Sequence, residues 1–165
     1  MTSALAFTIR QLVPGDAALL EAVSTMFGEA FDAVDTYGGA RPSSAYLERL
    51  LAGDSFIALA AQKDGVVVGG VAAYELRKFE QARSEVYLYD LAVAAAHRRE
   101  GIATALIGAL GKVASARGAY VMFVQADLVD GPAIALYDKL GTREAVLHFD
   151  IAVADDDGAA PRRPT

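Results

Sequence analysis

Cysteine is absent from this chain of 165 residues, and histidine occurs twice, at His97 and His148. Without thiols neither a disulfide framework nor a thiolate zinc site can form. Two histidines do not furnish a histidine-rich centre either, so no metal is expected. The start, MTSALAFTIR, lacks the basic n-region and long apolar h-region of a secretory signal. The longest apolar run, residues 65–74, has about half the length that a bilayer core demands. A cytoplasmic location, with no membrane partner, is the expectation. Positive charge is in the minority: 15 Lys and Arg stand against 21 Asp and Glu, for a net charge of −6. Such a surface repels nucleic acid phosphates and attracts cations.

What is present is globular. Apolar residues make up 54% of the chain and charged residues 22%, and a chain of this length can bury roughly 70% of its unfolded surface. No repeat and no Pro/Gly-rich linker divides it, so one domain over 1–153 is expected. The polar, aperiodic tail at 154–165 (ADDDGAAPRRPT) is expected to be disordered.

The coarse element order follows from periodicity. Residues 7–12 form a candidate strand. A helix from Leu19 carries Leu20, Val23, Met26, Phe27 and Phe31 at helical spacing, with Asp16 as its expected N-cap. Residues 36–41 (TYGGAR) read as a loop, and Pro42-Ser43 opens a second helix. Strands are expected at 55–61 and 66–76, joined by hairpin chemistry at Lys63-Asp64-Gly65, and at 85–93. A helix over 102–117 ends at Gly118. Gly108 and Gly111 within it would permit close packing on a sheet. A strand at 119–125, a helix at 132–140 and a last strand at 143–153 complete the order. Three successive strands suggest an antiparallel meander and the later alternation a parallel pair. The fold class is α+β with a mixed, mostly antiparallel sheet.

The most informative stretch is YDLAVAAAHRREGIATAL, residues 89–106. A strand ends near Val93, a short turn follows, and Arg98-Arg99-Glu100-Gly101-Ile102-Ala103 leads into a helix. The first turn of a helix leaves its N–H groups unpaired at the positive end of the macrodipole. Gly101 and Ala103 let an anion approach the backbone, and Arg98 and Arg99 add fixed positive charge, which together suit a diphosphate. Neither a Walker A loop nor a G-x-G-x-x-G fingerprint is present.

The pattern R-x-x-G-x-A after a strand reading LAV resembles the coenzyme A signature of the GNAT superfamily of N-acetyltransferases, and the order of elements resembles that superfamily too. KFEQARSE (78–85), YDLAV (89–93), HRREGIATALI (97–107), GAYVMFVQAD (118–127), ALYDKLGTRE (135–144) and HFDI (148–151) are similar to the type I aminoglycoside 3-N-acetyltransferases. The similarity is strong over about 55–151 and looser before it. It implies acetyl-CoA as cosubstrate. It also implies that Leu91, Ala92 and Val93 hold the pantetheine arm through backbone hydrogen bonds, and that Arg98, Arg99, Glu100, Gly101, Ile102, Ala103 and Thr104 hold the pyrophosphate. The strands carrying Leu91 and Gln125 would splay to admit the acetyl group. Tyr137 stands where the superfamily places a tyrosine that protonates the leaving thiolate; the alternative is packing beside Leu136 and Leu140.

A free amine must attack the thioester, so a proton has to be removed. Asp90, inside YLYDLAV, is out of place in a buried strand unless paired or functional, and is the first candidate base; a structural role at a bulge is the alternative. Glu85 is the second candidate. Relatives place a His or Glu base nearer the positions of Tyr87 and Tyr89. Glu80, Glu85, Asp127, Asp130 and Asp150 would flank the mouth and bind the ammonium groups of a small polycationic amine, or else are solvated surface acids. An alternative placement sets Glu144 and Asp150 against a homodimer partner. The expected activity is acetylation of a gentamicin-type aminoglycoside, which confers antibiotic resistance. A polyamine or protein-lysine acetyltransferase and a non-catalytic acyl-CoA-binding module are the alternatives.

Overall fold

A computed structural model of the chain describes residues 7–153; the tail expected at 154–165 lies outside them. The chain divides into two compact units after Asp127. The first holds β1 (Thr8–Gln11), α1 (Ala17–Ala30), α2 (Val34–Gly38), α3 (Ser44–Ala52), β2 (Phe56–Lys63), β3 (Val66–Arg77), β4 (Ser84–Val93), α4 (Ile102–Ala116) and β5 (Ala119–Val124). The second holds α5 (Gly131–Tyr137). No helix among the described residues is long and apolar enough to cross a membrane.

The five strands lie in sequence order, β1-β2-β3-β4-β5. The first three pairings are antiparallel and β4–β5 is parallel, with α4 as the crossover. The expected α+β mixed sheet is therefore present. Its central strands are packed on both faces over much of their length. On one side Ile57, Leu59, Val71, Ala73, Val86 and Leu88 pack under Ile102, Leu106 and Leu110 of α4. On the other, Phe56, Ala58, Ala60 and Ala92 pack under Leu20, Val23 and Phe27 of α1 and Leu47 and Leu51 of α3. The alternation of these residues along each strand is what period-two side-chain placement requires.

Helices can approach both faces at one point because β3 carries two adjacent glycines. A Cβ on Gly69 would lie 2.8 Å from Ile102 Cγ2, and a Cβ on Gly70 would lie 2.8 Å from Val23 Cγ1. The glycines that allow close packing are thus in the sheet, not in α4 as expected. A Cβ on Gly108 meets nothing within 4 Å, and one on Gly111 meets only Met122 Cε at 3.6 Å. The C-terminal end of α4 is tied down by Arg117, whose Nη1 donates to Asp54 O at 2.6 Å and to Glu75 Oε2 at 3.0 Å.

Three local expectations are corrected. Asp16 precedes α1 but does not cap it with its side chain. Its carboxylate accepts instead from Val13 N (2.9 Å) and the Arg10 guanidinium, and the start of α1 is served by Glu48 of α3, which accepts from Gly15 N (2.7 Å) and Ala17 N (3.2 Å). Within the expected loop 36–41 the chain turns through the short helix α2. Residues 143–153 form no strand: their apolar alternation supplies a pattern but no ladder partner among the described residues, and Leu147, Phe149 and Ile151 stand exposed.

Gly70→Val is expected to cost about 1–3 kcal/mol, because the new side chain meets Val23 and the Leu59 carbonyl inside a filled core. Gly108→Ala, which adds its methyl to open space on a helix, is expected to stabilise by up to about 1 kcal/mol. Thermal unfolding of both variants checks the pair, at about 2–4 °C per kcal/mol.

Candidate active site

The site begins with an irregularity in β4. Its pairing with β3 passes from Leu88↔Ala73 to Asp90↔Ala72, which leaves Tyr89 as an extra residue. On an unbroken strand Asp90 would share the face of Val86 and Leu88, which is packed under α4. The bulge re-aims it to the opposite face. There it lines a cavity of about 170 Å³ together with Leu20, Val23 and Phe27 of α1, Tyr37 of α2, and Tyr74 of β3. Glu21 and Arg41 also line this cavity.

Within the cavity Tyr37 Oη donates to Asp90 Oδ1 at 3.0 Å. Burial pushes the Asp90 carboxyl above its ordinary value of 3.8, and the Tyr37 hydrogen bond pulls part of the way back. The Tyr37 and Tyr74 hydroxyls are pushed up, first by burial and then by the Asp90 charge. Tyr37 is itself held: its carbonyl accepts from Ser24 Oγ at 3.2 Å, and its ring meets Phe27 and Phe31 at centroid distances of 6.0 and 5.8 Å. Arg41 donates to Thr25 Oγ1 at 2.6 Å, which ties the segment after α2 to α1.

Beside the cavity runs a row of aromatic rings that crosses four strands. Phe56 meets Tyr74 (5.5 Å), Tyr74 meets Tyr89 (5.9 Å), Tyr89 meets Tyr87 (5.4 Å), and Tyr87 stacks on Phe123 (4.7 Å, 7° between planes). Tyr87 Oη also donates to Gln125 Oε1 at 2.7 Å. These rings and Gln125 occupy the sheet face onto which the bulge turns Asp90.

The parallel ladder between β4 and β5 ends at Leu88↔Val124, while β4 continues to Val93. Past Leu88, β4 stays paired to β3 but loses β5. Leu91, Ala92 and Val93 therefore lie on a length of strand with no ladder partner on the β5 side among the described residues, where Val93 O accepts from Arg98 Nε at 3.5 Å. The chain then passes through a single helical turn at Ala95–His97 into α4. Arg99 adopts φ 68° and Gly101 φ 80°, and Gly101 is the N-cap of α4 without any side-chain cap. The need for glycine at 101 comes from this positive φ, since a Cβ there meets open space. The N–H groups at the start of α4 are not served by a capping side chain; Arg99, Ile102, Ala103 and Thr104 lie at this turn in sequence, while Arg98 reaches back to donate to Val93 O and Ala30 O, each at 3.5 Å. Glu100 serves the loop: it accepts from Lys63 and His97, each at 3.2 Å, and these partners hold its carboxyl below the ordinary value.

The other acidic residues of the first unit singled out in the sequence, Glu80, Glu85 and Asp127, are not among those lining the cavity. Glu85 accepts from Tyr120 and pairs with Lys78 at 3.5 Å; the Tyr120 bond first, then Lys78, holds its carboxyl low. Glu80 pairs with Arg83 at 3.3 Å, and Arg83 lies over the Tyr120 ring at 4.1 Å. The segment 78–85 is thus a closed charge network at the start of β4. Asp127 is exposed just beyond β5. In the second unit, Asp130 caps α5 by accepting from Ala133 N at 3.1 Å, Tyr137 is the last residue of α5, and Asp150 pairs with His148 at 2.9 Å. Among the described residues no group of three or more His, Cys, Asp or Glu is placed to hold a metal.

Comparison with known proteins agrees with this geometry. The model of the acetyltransferase (GNAT) family matches residues 20–142. The structure of an aminoglycoside acetyltransferase from an uncultured soil metagenomic sample superposes with a TM-score of 0.88 at 61% identity, covering 90% of this chain and 99% of that one. A second soil metagenomic aminoglycoside acetyltransferase, in complex with sisomicin, gives a TM-score of 0.82 at 28% identity over 89% of this chain and 96% of its own. A probable N-acetyltransferase family 8 member 5 from Mus musculus is 27% identical over 93 residues, which span 56% of this chain and 41% of that protein.

The two candidate bases should be displaced in opposite directions. The first, Asp90, raised by burial, should take up its proton at a higher pH than a free aspartate, and the second, Glu85, which Tyr120 and Lys78 hold low, at a lower pH than a free glutamate. Carboxyl ¹³C shifts followed as the pH falls check this, with Asp90→Asn to assign the first signal.

Proposed function

The chain belongs to the acetyltransferase (GNAT) family, and from that premise we propose that it transfers the acetyl group of acetyl-CoA to an amine of an aminoglycoside. The observation that carries this is the juxtaposition at β4. One length of the strand presents both a backbone edge without a ladder partner among the described residues, at Leu91–Val93, and a half-buried carboxylate, Asp90, in an aromatic-walled cavity. A thioester arm paired along that edge would bring its carbonyl beside a carboxylate suited to a cationic amine. The 61% identity to a soil metagenomic aminoglycoside acetyltransferase over nearly its whole length supports the substrate class. The KFEQARSE, YDLAV and HFDI segments support the finer reading of attack by the 3-amino group of a gentamicin-type drug.

In this scheme the first turn of α4 with Arg98 and Arg99 holds the pyrophosphate. Asp90 accepts a proton from the substrate ammonium, and the freed amine attacks the thioester carbonyl carbon. The new N–C bond forms as the C–S bond breaks, and the second proton, which the nitrogen sheds as it becomes the amide, is taken up by the departing thiolate, a transfer for which the superfamily resemblance nominates Tyr137 as the relay. Aromatic faces along Tyr74, Tyr89 and Tyr87 suit a polycationic sugar, through cation–π contact and stacking. Glu80 and Glu85 are withdrawn from substrate binding in this scheme, because their charges are already spent on Lys78, Arg83 and Tyr120.

Thiol release from acetyl-CoA, measured with gentamicin, spermidine and a lysine peptide side by side, tests the proposal. Turnover with gentamicin, and a product acetylated at the 3-amino nitrogen by NMR, is the expected result. Turnover with spermidine or the peptide alone would replace the substrate class, and coenzyme binding without any turnover would leave a non-catalytic acyl-CoA-binding module. Asp90→Asn should lower kcat/KM about 100-fold or more with coenzyme affinity nearly unchanged.

A further inference from the structure

Asp90 is a half-buried carboxylate, and such a group is costly without partners. The hydrogen bond that the structure gives it comes from Tyr37, on a five-residue helix between α1 and α3. Tyr37 reaches it across 53 residues of sequence. The bond engages Oδ1; Oδ2 has no hydrogen bond among the described residues. One carboxylate oxygen is fixed while the other remains available to the cavity.

We infer that Tyr37 is a positioning residue of the acceptor site: its hydroxyl fixes Asp90 Oδ1 so that Oδ2 meets the incoming ammonium. This rests on the proposal that Asp90 accepts the substrate proton. The groups that share the cavity do not provide a substitute. Tyr74 comes from β3, Glu21 from α1 and Arg41 from the segment after α2, while Tyr87 and Tyr89 extend along β4; none of them is hydrogen-bonded to the Asp90 carboxylate. α4 packs on the opposite face of the sheet and contributes no charge here. The direction of the effect follows from sign alone. Burial raises the Asp90 proton affinity and the Tyr37 bond lowers it, so loss of the hydroxyl should raise it further.

Packing is the competing role for Tyr37, since its ring lies against Phe27 and Phe31. Tyr37→Phe separates the two, because it keeps the ring and deletes the donor. In the full chain, the Asp90 carboxyl ¹³C titration should move to higher pH in Tyr37→Phe. The acid-side break of kcat/KM should move with it, while the KM for acetyl-CoA stays the same. Tyr37→Phe combined with Asp90→Asn should be no slower than Asp90→Asn alone, because the first acts through the second. An unmoved Asp90 titration, or losses that multiply in the double variant, would overturn the inference. The titration needs no turnover, so it distinguishes this outcome from failure of the proposed reaction. If no amine is acetylated while Asp90 still shifts, the assignment of Asp90 as base falls and the Tyr37 bond does not.

Discussion

Both halves of the site depend on a place in the sheet that has no side chains. Gly69 and Gly70 sit side by side in β3, opposite Val93 and Ala92 of β4. Because consecutive strand residues face opposite ways, the first admits Ile102 at the start of α4 and the second admits Val23 of α1, each at a separation that a methyl group would forbid. Ile102 is the first residue of its helix, so Gly69 fixes the height of the α4 N-terminus beside the end of β4. Val23 and its neighbour Phe27 form the wall of the Asp90 cavity, so Gly70 fixes how deep that cavity is. The phosphate end and the amine end are held in one frame because they are packed against adjacent residues of one strand.

β4 then divides its own length among three tasks. Up to Leu88 it is paired on both edges and buried under α4. At Tyr89 it gains a residue, and the side-chain alternation is reset so that Asp90 and Ala92 both face α1. Beyond that point the parallel partner is gone. The bulge and the end of the β5 ladder fall within two residues of each other, so the turn of Asp90 into the cavity and the release of the Leu91–Val93 edge occur at the same place. A single irregularity in one strand thus brings the cavity-facing carboxylate and the strand edge without a ladder partner among the described residues to the same point.

The strand–loop–helix run from Tyr89 to Leu106 was legible from the sequence because its signals are local: a buried aliphatic strand, a positive-φ glycine and a helical face within eighteen residues. The meander of β2, β3 and β4 was legible for the same reason, as was the oddity of an aspartate in YLYDLAV. What escaped depends on distant partners. Tyr37 lies in TYGGAR, where two glycines and the brevity of α2 hide the helix, and its partner Asp90 is far along the chain. The α1 cap is Glu48 instead of the adjacent Asp16, because Arg10 claims the aspartate. The helix glycines drew attention and the sheet glycines did not, since crowding is a property of the neighbours and not of the residue. At 143–153 alternation alone suggested a strand, but a strand exists only where a ladder is formed.

The acidic charge of the chain gains meaning when each carboxylate is followed to its partner. Glu80 and Glu85 are matched to Lys78, Arg83 and Tyr120, Glu100 to Lys63 and His97, and Glu75 to Arg117. Asp130 and Glu48 serve helix starts. Asp90 differs from these: its hydrogen-bond partner is a neutral phenol without an ion pair beside it, and it lines an aromatic-walled cavity, whereas Glu85 also pairs with Lys78 and the buried Glu75 with Arg117. Exposed ion pairs gain little from a further cation, because solvent and their partners already screen them. A half-buried carboxylate without a counter-charge gains most, since an ammonium beside it offsets the cost of its burial and favours its ionised form. The net charge of −6 acts at long range on any polycation. The local unbalanced charge at Asp90 is what gives that attraction a destination beside the open edge of β4.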